Sequence, residues 1–138
     1  MNKEISIKEI SKKLEEIFPQ NSEKYQIIDI KNYYSEVKLL SNNNNLRPGN
    51  TISGPSMFEL ADISFYVAVM GSIKLSEKSV AINVSINFLN KPLLSNLIGI
   101  SKIKKLGKRL VLGDVEILSE DKKVIFANAL FTYSISNN

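Results

Sequence analysis

Arg47-Pro48-Gly49-Asn50-Thr51-Ile52-Ser53-Gly54-Pro55-Ser56-Met57-Phe58-Glu59-Leu60-Ala61-Asp62 reads as a polar loop that opens a buried helix, and the apolar run continues through Met70 to Gly71. Apolar residues occupy every side of the helical wheel after Gly54-Pro55, so this helix is expected in the interior. Two carboxylates interrupt it. Glu59 and Asp62 lie three residues apart and therefore share a face. Burying a carboxylate costs several kcal/mol unless it is paired or hydrogen-bonded, so each must be satisfied, sit at an edge, or be kept for chemistry.

The surrounding chain fits an α+β fold. Ser6 with Glu9 three residues later fits a capping box, Ile7, Ile10, Leu14, Ile17 and Phe18 fall on one face, and Pro19 closes the helix. Tyr25–Ile30 and Tyr33–Leu40 are β-favouring, and Asn42–Asn50, with asparagine at 42 to 45, reads as a loop. Beyond the long helix of about Pro55–Met70, strands are expected near Ser79–Leu89, Leu93–Leu106, Arg109–Ser119 and Lys122–Ile135. In the first of these, Ile82, Val84, Ile86 and Phe88 alternate with Ala81, Asn83, Ser85 and Asn87, the pattern of a strand with one buried face. Gly107-Lys108 and Glu120-Asp121 mark tight connections, so the last three strands form an antiparallel meander. At 138 residues and 43% apolar content, one domain spanning 1–138 is expected.

Composition narrows the chemistry. The chain has neither histidine nor cysteine, which removes Ser-His-Asp and Cys-His nucleophile systems, histidine bases, Cys/His zinc sites and disulfides. Asp/Glu, Lys, Ser/Thr and Tyr remain, and no metal ligand set is read. Met1–Pro19 is charged throughout and lacks a signal-like apolar core, so a cytoplasmic location without membrane association is the expectation. The net charge of +4 concentrates in Lys102-Ile103-Lys104-Lys105-Leu106-Gly107-Lys108-Arg109, suited to meeting phosphates or simply solvated. It lacks interleaved aromatics, which argues against a nucleic-acid module.

A glycine eight residues before a helical carboxylate, then a meander carrying Ile86-Asn87-Phe88-Leu89-Asn90-Lys91-Pro92-Leu93 and Gly107-Lys108-Arg109-Leu110, resembles the hotdog-fold thioesterases of the phenylacetic-acid-degradation type. The likeness covers roughly residues 25–135. In that family the motif is His-Gly-Gly, six residues, then Asp or Glu. Here it is Ser53-Gly54-Pro55, Ser56 to Ala61, then Asp62: the spacing is kept and two of four signature residues differ. The resemblance implies a curved antiparallel sheet wrapped round one long helix, and an acyl-CoA thioesterase with no cofactor beyond the coenzyme A of its substrate.

Thioester hydrolysis needs a donor for the developing oxyanion and a base or nucleophile at the carbonyl carbon. The Gly54 N–H at a helix N-terminus meets the first need, because glycine lets an acyl group approach closely. Asp62 is the acidic candidate for the second, its apolar neighbours Ala61, Ile63 and Phe65 suggesting a raised pKa. Eight residues of helix separate them by ~12 Å, too far to act on one carbonyl. The resemblance implies a homodimer, joined edge to edge, in which Asp62 of one subunit faces Gly54 of the other; tetramers are also common among relatives. Asp62 either activates water or attacks the thioester itself.

Glu59 is an orienting partner or a bystander, and Ser64 and Tyr66 carry the nearest downstream hydroxyls. Ser53 can bind substrate or cap the helix, and Ser56 offers a second backbone donor because Pro55 has none. By resemblance, Asn90, Lys91, Gly107, Lys108 and Arg109 stand where relatives meet the nucleotide, and Arg47 is a weaker phosphate candidate. The alternative reading is a non-catalytic acyl-CoA-binding hotdog protein. A hotdog hydratase ranks below both, since it would need a histidine.

Overall fold

The computed structural model describes residues 6–19, 22–73 and 79–135; positions 1–5, 20–21, 74–78 and 136–138 of the expected domain lie outside the described residues. Helix α1 (Ile7–Ile17) is capped by Ser6, whose hydroxyl accepts the Glu9 N–H at 3.1 Å; the expected capping box is met in this half, while the Glu9 carboxylate accepts from the Ser6 hydroxyl at 3.2 Å. Ile10 and Leu14 are buried, Ile17 and Phe18 are partly buried, and Ile7 is exposed, so the apolar stripe is narrower than its spacing predicts. Strands β1 (Tyr25–Lys31) and β2 (Tyr34–Leu39) form an antiparallel hairpin turned at Tyr33, whose φ is +66°.

The asparagine run is more ordered than a polar loop requires. Asn43–Asn45 form one 3₁₀ turn, Asn42 caps it, and the Asn45 side-chain carbonyl accepts the Asn42 N–H at 2.9 Å. Two short strands, β3 (Leu46–Arg47) and β4 (Thr51–Ile52), then lead into helix α2 (Gly54–Met70). Past α2 come β5 (Val80–Phe88), β6 (Leu97–Leu106), β7 (Leu110–Ser119) and β8 (Ile125–Ser134). The fourth strand expected from sequence, Leu93–Leu106, begins four residues late, at Leu97. Pro92 cannot donate to a ladder, and its carbonyl instead accepts the Ile52 N–H at 2.8 Å, which ties the segment to the entrance of α2.

The main sheet has the order β1-β2-β6-β7-β8-β5, with antiparallel neighbours throughout, and β6-β7-β8 is the expected meander. It wraps α2, whose residues from Leu60 to Met70 are buried apart from Asp62. This is the hotdog arrangement. Phe65 stacks on Phe131 with centroids 5.3 Å apart and meets Tyr133 edge-on at 5.1 Å. Two glycines set how close helix and sheet come: a Cβ at Gly99 would lie 2.2 Å from Ser64 Oγ, and one at Gly113 would lie 2.4 Å from the Phe65 ring. Gly99→Ala is therefore expected to destabilise the chain by about 1–3 kcal/mol through overpacking, read as a lower denaturation midpoint.

One expectation from alternation is corrected. The face of β5 carrying Ile82, Val84, Ile86 and Phe88 is not buried by its own chain: Ile82 is 56% exposed and Phe88 51%, while Val84 and Ile86 are half-buried. A bulge between Ala81 and Asn83 shifts the register and displaces Ile82 from the inward set. β5 is also the last strand of the sheet, so its outer edge has no strand partner among the described residues.

Candidate active site

The start of α2 can be followed amide by amide. Ser53 is the N-cap: its hydroxyl accepts the Ser56 N–H at 3.2 Å, and its carbonyl accepts the Met57 N–H at 3.2 Å. Pro55 carries no N–H. The Gly54 N–H is then the first-turn donor left without a partner among the described residues, at the positive end of the helix dipole. This corrects the expectation that Ser56 supplies a second amide. Its hydroxyl is engaged too, accepting from the Ser53 hydroxyl at 2.9 Å and from Asn45 Nδ2 at 3.0 Å. Both serines thus hold the helix entrance together. A Cβ on Gly54 would stand 3.2 Å from the Phe88 ring, so glycine keeps this amide approachable beneath an aromatic lid.

Asp62 lies two turns on, half-buried, on the face that also carries Glu59. The Tyr133 hydroxyl donates to Asp62 Oδ1 at 2.7 Å, and Tyr25 donates to Glu59 through a very short hydrogen bond. Burial pushes the Asp62 carboxyl above the ordinary carboxylate value; the Tyr133 hydrogen bond opposes this and the nearby Glu59 charge adds to it. Tyr133 and Tyr25 are themselves held neutral, chiefly by burial and secondarily by the carboxylates they face, so both act as donors. Gly54, Pro55, Phe58, Glu59, Asp62, Ile86 and Phe88 line one cavity of about 620 Å³, within the roughly 300–1,000 Å³ of small-molecule sites.

Sequence reasoning placed the carboxylates and missed the phenols that orient them. The hydroxyls expected downstream serve otherwise: Ser64 donates to the Leu60 carbonyl at 2.7 Å, and Tyr66 is a core residue packed edge-on against Phe18 and Tyr133. Tyr133 is 71 residues from Asp62, and Tyr25 is 34 from Glu59; no local spacing signals either pair.

The residues assigned to a nucleotide do not meet within one chain. Asn90 and Lys91 follow β5 at the end where Phe88 pairs with Ala127, and Asn90 Nδ2 donates to the Ile125 carbonyl at 2.8 Å. Gly107, Lys108 and Arg109 form the β6–β7 turn, beside the Leu110–Ser134 pair. Seven residues of β8 separate these ends, roughly 23 Å at strand rise. Lys108 and Arg109 are exposed, and Arg47 is exposed with its guanidinium on the Pro48 carbonyl at 3.0 Å.

An antiparallel sheet wrapped on one long helix, with an open amide at the helix start and a half-buried carboxylate two turns on, defines a hotdog protein. The family model for the thioesterase superfamily matches residues 49–126, and the chain belongs to that superfamily. Among solved structures it is similar to a provisionally assigned thioesterase from a Silicibacter species, at 36% identity and a TM-score of 0.84, with 96% of this chain and 92% of that one covered. The E. coli PaaI protein from the phenylacetic acid degradation operon matches at 19% identity and a TM-score of 0.80, covering 96% and 98%. A hypothetical thioesterase from Streptococcus pneumoniae, crystallised with coenzyme A, matches at 24% identity and a TM-score of 0.77, covering 91% and 95%. The last two show likeness of fold. No protein of curated function matches by sequence. No described helix is long and apolar enough to cross a membrane.

Proposed function

We propose that this protein is an acyl-CoA thioesterase, a single-domain homodimer in which the Gly54 amide of one subunit and Asp62 of the other act on the same thioester. The observation that carries the reading is the Asp62 carboxylate, half-buried, oriented by Tyr133 and lining a ligand-sized cavity with Gly54. The ~12 Å between Gly54 and Asp62 along α2 calls for a second subunit. The outer edge of the half-exposed β5, which has no strand partner among the described residues, offers the place on which one can dock.

In this reaction the Asp62 carboxylate takes a proton from water as the water oxygen bonds to the thioester carbon. The carbonyl oxygen becomes an oxyanion facing the Gly54 N–H. Collapse of the tetrahedral species breaks the C–S bond and expels coenzyme A as thiolate, which recovers the proton and leaves a free acid. Tyr133 holds Oδ1, leaving Oδ2 for water. The same oxygen could instead attack carbon directly, expelling the thiolate to form a mixed anhydride; where water then opens that anhydride at the Asp62 carbon, a single turnover in ¹⁸O-water leaves label in the enzyme. No metal or bound cofactor enters either route. Coenzyme A as leaving group is supported by the pneumococcal structure that holds it. The cations of Lys108 and Arg109 suit its phosphates, as does Lys91 brought from the opposite sheet end by a partner subunit.

The direct test follows thiol release from short, medium and aryl acyl-CoAs. Turnover with any of them supports the proposal. Saturable binding with no release supports the non-catalytic acyl-CoA-binding protein instead, a reading favoured by the engagement of the Ser53 hydroxyl in capping and of the Ser56 hydroxyl with Ser53 and Asn45. The pH profile is a further prediction. Asp62 works as carboxylate and its pKa is raised above 3.8, so kcat/KM is expected to climb with pH along an acid limb centred above that value. A limb at or below 3.8 would remove Asp62 as the base.

A further inference from the structure

A second cavity, of about 230 Å³, lies under α1, walled by the apolar side chains of Leu14, Phe18, Ile27 and Ile63 together with Tyr25. It is too small for an independent ligand site by the roughly 300 Å³ lower bound for such pockets, and residues of its lining touch residues that line the larger cavity. Glu59, which lines the larger cavity, and Ile63, which lines the smaller, are one turn apart on the same face of α2. Tyr25 lines the smaller cavity and donates its hydroxyl to Glu59 across the boundary. Tyr25 of β1 and Glu59 of α2 thus form a hydrogen-bonded pair with one member in the lining of each cavity.

We propose that the Tyr25–Glu59 pair is a partition that sets acyl-chain length: closed, it confines the site to short acyl groups, and swung aside, it admits the distal methylenes of a longer saturated chain into the chamber under α1. The inference rests on the acyl-CoA reading above. An apolar chain fits the chamber's walls, while the exposed Glu15 and Glu23 at its outer rim repel acyl groups ending in a second carboxylate. Neither Tyr25 nor Glu59 touches the reacting carbon in this scheme; they act as specificity residues.

The test uses calorimetric binding of two non-hydrolysable thioethers, S-butyl-CoA and S-dodecyl-CoA, to the wild-type protein and to Tyr25→Ala and Tyr25→Phe. Removing the ring is expected to shift the dodecyl-to-butyl affinity ratio at least about tenfold toward dodecyl, since each added methylene accommodated in an apolar pocket is worth about tenfold or more. Tyr25→Phe, which keeps the ring and loses its anchor, is expected to shift the ratio the same way but less. Ser11→Phe, filling the chamber from its exposed rim, should reverse the gain of Tyr25→Ala. If Tyr25→Ala fails to fold, Glu59→Ala removes the other half of the partition and should give the same shift. An unchanged ratio, or equal weakening of both thioethers as a purely structural role would give, overturns the partition. Thioethers that bind with the shifted ratio while no acyl-CoA is hydrolysed would instead overturn the thioesterase reading and leave the partition standing.

Discussion

Asp62→Asn is expected to lower kcat/KM for acyl-CoA hydrolysis by about a hundred- to ten-thousand-fold, the usual range for loss of a positioned base, and to raise the melting temperature at neutral pH. The two effects have one cause. Asp62 titrates above its ordinary value in the folded chain, first because burial disfavours its charge. A carboxyl of that kind favours folding only while protonated. As pH rises past the ordinary 3.8, the unfolded chain releases its proton first, and the resulting penalty on the fold grows until the native group has ionised as well. At neutral pH the penalty is fully present. Asparagine removes the charge, preserves the volume and still accepts the Tyr133 hydroxyl hydrogen bond. Loss of activity together with a lowered melting temperature would assign Asp62 a structural role instead, and retained activity would remove it as the base.

The double variant Ile82→Lys with Ser85→Lys is expected to turn the proposed dimer into a folded monomer and to cut turnover at least about a hundredfold, since each Gly54 would lose its acid–base partner. Both positions are exposed in the single chain, so lysine there costs the isolated fold little. Charges on an edge strand oppose edge-to-edge pairing, and across a two-fold axis they face like charges. Light scattering gives the mass, circular dichroism the fold, and thiol release the rate. A monomer as active as the wild type would refute the shared site while leaving a thioesterase in place.

The most legible part of this chain was the entrance to α2. Ser53, Gly54 and Pro55 obey rules that operate over three or four residues, and the structure follows them in detail, with the serine as cap and the proline in the first turn. The spacing to Asp62 was equally readable, since helical geometry converts sequence distance into position. Tyr133 and Tyr25 were hidden for the opposite reason. Each reaches its carboxylate through the tertiary wrap of the sheet, and a tyrosine on a strand reads as ordinary β-preference. The alternation in β5 told which side chains belong on one face, but periodicity does not say whether the cover comes from the same chain. The Asn42–Asn45 run misled in another way: composition suggested a featureless loop, whereas Asn45 is buried and fastened to Ser56.

That last contact bears on how the gene can vary. A run of one residue type can lengthen or shorten by insertion or deletion, and here the two directions are not equivalent. The capping box needs asparagine at two positions three apart, and the final one must keep its distance to Ser53 and Ser56, since the Ser53 N–H also donates to the Asn45 carbonyl at 2.8 Å. An extra asparagine leaves four in place at the downstream end, so the box re-forms and the surplus residue slides out toward Ser41. Losing one moves Ser41 to the cap, which serine can fill, but pulls it away from Asn96, whose side-chain carbonyl accepts the Ser41 N–H at 3.1 Å. The tract can therefore grow without disturbing the Gly54 amide but shrinks only at the cost of the Ser41–Asn96 tie to the segment before β6, a one-sided tolerance that arises from a run of four identical side chains.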